Sequence, residues 1–137
     1  MRRALSGDEG TALLLTLGYA LLALALVLVC ADATSLYLAH KRADAAADAA
    51  ALAGADGFDL DLVAGEPVAV LTDAGVYDQA EAIIEEYDGV RLLAAGSPDG
   101  SSAQVTVTVR WRAPILGLLF PGGVVVESTA TSRTAFG

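Results

Sequence analysis

The sequence is poor in the residues that most often carry chemistry. Its 137 residues include one cysteine, Cys30, one histidine, His40, and one lysine, Lys41. One cysteine excludes an intrachain disulfide, so any domain here is held by packing alone. Basic residues are scarce: 8 Lys+Arg stand against 17 Asp+Glu. Setting aside Arg2, Arg3, Asp8 and Glu9, the chain beyond Ala31 has 6 basic and 15 acidic side chains, a net charge of −9. That balance excludes a nucleic-acid partner, which needs a basic patch. Proline is missing from Met1 to Glu66, and Gly18 is the only glycine between Thr11 and Gly54. Nothing in that stretch stops a helix.

What fills the gap is apolar. Thr11 to Ala31 carries no charge over 21 residues. As a helix at about 1.5 Å per residue it matches the roughly 30 Å of a bilayer core. A cleaved signal peptide is the rival reading, with Arg2 and Arg3 as its basic region and Ala31-Asp32-Ala33 as a small-x-small cleavage site. Asp8 and Glu9 oppose it, and the run exceeds the usual apolar core of about 7 to 15 residues. Val29 also stands where a lipid-attachment site at Cys30 wants a small residue. The expectation is a retained single-pass anchor. Basic residues flank it on both sides, with Arg2 and Arg3 before and Lys41 and Arg42 after, so charge alone does not orient it.

The apolar run continues without a break into an alanine-rich segment ending near Gly54. This divides the chain into a polar lead over 1–10, a membrane part of one long helix over 11–31, its external part over 32–54, and a small acidic α+β domain over 55–137. At about 100° per residue Ala39, Ala43, Ala46, Ala50 and Ala53 share one face, with Lys41, Asp44 and Asp48 opposite. Alanines cost little side-chain entropy and let a neighbour come close. That face packs either on the domain's own sheet or on another subunit. Within the bilayer Gly18 offers a similar small-residue contact.

Residues 54–71 read as a loop, from Gly54, Gly57, Gly65 and Pro67. Its Asp56, Asp59, Asp61 and Glu66 are oxygen donors of the kind calcium takes, although their spacing fits no calcium loop. Thr72 to Asp88 reads as an amphipathic helix capped by Thr72 or Asp73 and closed by Gly89, with Val76, Ala80, Ile83, Ile84 and Tyr87 as its apolar stripe. Val90 to Ala95 is a short apolar run before turn residues. From Gln104 to Arg112 residues alternate strictly, with Val105, Val107, Val109 and Trp111 on one face, and Val124 to Phe136 reads as a last strand. Three strands and one helix give an antiparallel α+β domain. The connector before the last strand is apolar where loops are usually polar: Ile115, Leu116, Leu118, Leu119 and Phe120 need cover from the domain, the membrane surface or a partner.

No catalytic constellation is legible. The sequence has no GxSxG, phosphate-cradling glycine loop, CxxC or HExxH. His40 lies one turn before Asp44 and reads as half of a surface pair. Glu85 and Glu86 project about 100° apart on a helix, as solvated side chains do. No catalytic residue, cofactor or metal ligand is assigned, and no small-molecule substrate is expected.

The order of these parts carries a resemblance. Asp8-Glu9-Gly10, the long apolar helix, the basic pair Lys41-Arg42 and the Ala46 to Ala53 segment Ala-Ala-Asp-Ala-Ala-Ala-Leu-Ala resemble TadE/TadG-like proteins of the tight-adherence (Flp) pilus system. So do the Val/Thr strand, the Pro-and-Phe connector and Val126-Glu-Ser-Thr-Ala-Thr131. The resemblance implies a pilin-like body, partners among other single-span pilin-like or pilus-assembly proteins, and a domain outside the cytoplasmic membrane. One element departs from the pattern. Processed pilins place Glu five residues after the cleavage glycine, whereas Gly10 leads to Leu15 and Gly7 to Ala12. This favours the TadG-like or actinobacterial TadE-like members and an anchored assembly component. The readings held in reserve are a tethered ligand- or calcium-binding domain and a cleaved secreted protein.

Overall fold

A computed structural model describes residues 4–134. Helix α1, Ala4–Asp56, is continuous over 53 residues, about 80 Å at 1.5 Å per residue. It begins within the expected polar lead, because nothing after Ala4 breaks a helix. Inside the apolar run the Thr16 hydroxyl donates to the carbonyl of Ala12 at 2.8 Å, and just beyond it Thr34 donates to that of Cys30. The helix thereby satisfies these polar groups itself, as a span in lipid requires. From Leu13 to Val29 the large apolar side chains are exposed around the helix, except Leu28, which is half-buried.

The external part of α1 lies on a three-stranded antiparallel sheet. Its strands are β3 (Val90–Gly96), β4 (Ser102–Trp111) and β5 (Val124–Arg133), in that order. The expected last strand closes at Arg133; Ala135 and Phe136 lie outside the described residues. Helix α2, Asp73–Ile84, packs beside α1 and over β3, while α1 covers β4 and β5. The strand alternation puts Val105, Val107 and Val109 under the helices. They meet Ala43, Ala46, Ala47 and Ala50 of α1 and Val76 and Ala80 of α2. Full burial of side chains such as Val105 and Val107 contributes about 1.5–3 kcal/mol each. The opposite face of β4 is polar, and there Thr106 and Thr129 share a cross-strand hydrogen bond of 2.8 Å.

Two sequence expectations need correction. The segment expected as a loop over 54–71 contains a β-hairpin, β1 (Phe58–Val63) and β2 (Glu66–Leu71). Its turn places Ala64 and Gly65 at positive φ, 55° and 86°, the primed geometry that suits strand twist. Pro67 is tolerated because both strands of a two-stranded ribbon are edges. Helix α2 starts as expected, with Thr72 accepting from the Gly75 N–H at 3.1 Å. It ends at Ile84, however, not at Asp88. The following N–H groups, Glu86 to Ile83 and Tyr87 to Ile84, bond three residues back. Glu85, Glu86 and Asp88 would set negative charge at the negative end of the helix dipole. Gly89, at φ 75°, turns the chain into β3 rather than closing the helix.

The β3–β4 turn is fixed by one carboxylate. Asp99 accepts from the Ser101 and Ser102 N–H groups and from the Ser102 hydroxyl. Chiefly the Ser101 N–H, then the Ser102 bonds, lower its pKa from 3.8 to about 2. Its stabilising effect is complete above the ordinary value and fades as the pH falls towards 2.

The α1–α2 junction is tight because glycines meet there. A Cβ on Gly75 would stand 2.8 Å from the Gly57 carbonyl oxygen and 3.1 Å from Thr72 Oγ1. Alanine normally stabilises a helix over glycine by about 1 kcal/mol. At this position Gly75→Ala is expected to lower the melting temperature of the detergent-solubilised chain, followed by circular dichroism, because backbone must move.

Candidate membrane-facing surface

Strand β4 runs back along α1 towards the apolar run. Its start lies by the end of α1, where Ala103 packs beside Gly54. Its last residue, Trp111, donates from Nε1 to Ser35 Oγ at 3.0 Å. Trp111 pairs with Val124, so residues 112–123 form the loop at the end of the sheet nearest the apolar part of α1.

That loop is held by Asp32. Asp32 Oδ1 accepts from the Ile115 N–H at 3.1 Å and Oδ2 from the Leu116 N–H at 3.0 Å. The carboxylate is only 4% exposed. It caps a 3₁₀ turn, Leu116–Leu118, whose carbonyl at Leu116 accepts from Leu119 and Phe120. Two N–H groups that would otherwise lack partners thus meet a full negative charge, the stronger class of hydrogen bond. The expected apolar connector is therefore split. Ile115 and Leu116 are half-buried against the helix. Leu118, Leu119 and Phe120 point outwards at 91%, 72% and 73% exposure.

The expected packing face is divided too. Ala43, Ala46 and Ala50 are wholly buried in the chain's own core, so a second subunit has no access to them in this fold. Ala39 and Ala53 are half-buried at its margin, and Gly18 is open on the apolar span. His40 does not pair with Asp44 as expected. Asp44 Oδ1 accepts from the Ser128 hydroxyl at 2.7 Å, while its other oxygen lies 3.7 Å from Lys41 Nζ. Lys41 in turn sits 5.7 Å from the Tyr37 ring centre. Asp59 and Asp61 belong to β1 rather than a calcium loop, and among the described residues no three acidic, His or Cys side chains gather as metal ligands would.

Sequence reasoning missed Asp32, Ser35 and Trp111 as a set. A signal existed: Asp32 continues the Leu36, Ala39, Ala43, Ala46, Ala50 spacing, so it shares the face that the sheet covers.

The β1–β2 hairpin projects from the other end of the domain. Cross-strand pairing puts Phe58, Leu60 and Leu62 with Leu71, Ala69 and Pro67 on one apolar face. Leu60 and Leu62 are 70% and 76% exposed. Since they bury little, Leu60→Thr with Leu62→Thr is expected to shift stability by no more than about 0.5 kcal/mol in a chemical melt.

Comparison with curated proteins and with solved structures gave no match. Against family models, residues 10–57 match the one described as putative Flp pilus-assembly TadE/G-like. The matched stretch holds the apolar run, the buried alanines and Asp32, and it stops before the hairpin and the sheet; the chain's likeness to pilus-assembly proteins rests on α1.

Proposed function

We propose that this chain is a membrane-anchored structural component of a tight-adherence type pilus apparatus. It acts by packing, with its sheet domain outside the cytoplasmic membrane. The match of residues 10–57 to the TadE/G-like family carries this reading. Asp32 supports retention of the anchor over cleavage. Cutting after Ala33 would remove the carboxylate that satisfies the Ile115 and Leu116 N–H groups. The finer assignment is an assembly component or minor pilin-like subunit of the TadG-like or actinobacterial TadE-like kind. Leu15, where processed pilins place Glu, favours the assembly component. Its partners are other single-span proteins of the same apparatus, met in the bilayer through small residues such as Gly18.

The test is genetic and biochemical. A strain lacking the chain should lose surface pili by electron microscopy and regain them on complementation; normal piliation in that strain overturns the proposal. Shearing the pili should leave the chain with the membrane fraction. Its recovery in the sheared filaments would assign it as a pilin-like subunit instead.

A further inference from the structure

We infer that the connector tip Leu118-Leu119-Phe120 inserts into the near leaflet of the same bilayer that α1 crosses. Thus the domain lies on the membrane surface rather than standing clear of it. The inference rests on the anchor reading of residues 11–31. Three observations carry it. First, Asp32 ties the connector to α1 at the residue directly after the apolar run. Second, the exposed apolar tip extends beyond the membrane-proximal end of β4 and β5. Three consecutive bare apolar side chains beside the apolar run suit the edge of a hydrocarbon layer.

Third, the surrounding residues suit headgroups. Trp111 sits beside Ser35 with its indole half-buried, as aromatics at membrane interfaces do. Arg42 of α1, Arg110 of β4 and Arg112 just after it line one hollow beside it. In a chain with 8 basic residues in all, three meet at the end nearest the lipid. Asp56, Asp59, Asp61 and Glu66 lie at the far end, while Glu85, Glu86 and Asp88 precede Gly89 at the near one. Anionic headgroups attract the three arginines. The partner is therefore the lipid surface itself, gripped by one apolar wedge with Trp111 beside it.

Site-directed spin labelling of the full chain in phosphatidylcholine–phosphatidylglycerol vesicles tests this. In a Cys30→Ser background, labels are placed singly at Leu119→Cys, Leu22→Cys and Asp61→Cys. Power saturation then compares collision with oxygen, which partitions into lipid, and with a water-soluble nickel chelate. The Leu119 and Leu22 labels should favour oxygen several-fold, and the Asp61 label should favour nickel. Adding Leu118→Ser and Phe120→Ser should turn the Leu119 label towards nickel while leaving Leu22 unchanged. A water-exposed Leu119 label beside a lipid-exposed Leu22 label overturns the inference and leaves the anchor standing. A water-exposed Leu22 label removes the anchor reading and the inference with it. A Leu119 label shielded from both reagents, or one that changes with the protein-to-lipid ratio, shows a protein contact and also overturns it.

Discussion

Replacing Ala43, Ala46 and Ala50 together by leucine is expected to abolish the cooperative melt of the external domain while α1 still inserts in membranes. All three side chains are wholly buried between α1 and the sheet. Each leucine adds three carbons where there is no space, and overpacking costs about 1–3 kcal/mol per site. The three positions share neighbours, so their effects couple rather than simply add. A small domain has only about 5–15 kcal/mol in hand. Circular dichroism in detergent should keep the helical signal of the apolar run and lose the sheet transition. Ala45→Leu is the control. Ala45 is exposed on the same helix, so the change should stay within about 0.5 kcal/mol. A normal melt for the triple variant would show that α1 does not pack on the sheet in this way.

Asp32→Ala is expected to cost about 2–4 kcal/mol, because two N–H groups lose a charged acceptor at a site with little water access. The effect should be local first. Hydrogen exchange at the Ile115 and Leu116 amides should accelerate strongly, while amides of Val105 and Val107 in the core strand should change only as far as global stability falls. Asp32→Asn retains one good acceptor oxygen and should lie between the wild type and the alanine variant. Unchanged exchange at both amides in Asp32→Ala would remove the clip from the description of this fold.

Elements set by period are the ones legible in the sequence. The continuity of α1 follows from the missing proline between Met1 and Glu66, although its start at Ala4 lies within the expected polar lead. The inward face of β4 follows from Val105, Val107, Val109 and Trp111 two residues apart. The buried stripe of α2 follows likewise, since Val76, Ala80 and Ile84 recur at helical spacing. The hairpin is obscured because Gly57, Gly65 and Pro67 read as loop residues, although Phe58-Asp-Leu-Asp-Leu62 alternates as a strand should. The end of α2 is obscured because charge at a helix terminus acts against a stripe that continues to Tyr87. The clip joins Asp32 to residues more than eighty positions away. No local pattern reports a contact created only when β4 folds back along α1.

The unbroken course of α1 has a rotational consequence. With no hinge between the apolar part of α1 and the domain, turning that part about its own axis turns the sheet by the same angle. One residue along the helix corresponds to about 100° of azimuth. Whichever side of the span a neighbour occupies thereby fixes the compass bearing of the hairpin and of the outer face of β4. Any contact made on the apolar part of α1 is thereby geared to any contact made on the sheet, so a change of register in one would be transmitted as a change of heading in the other.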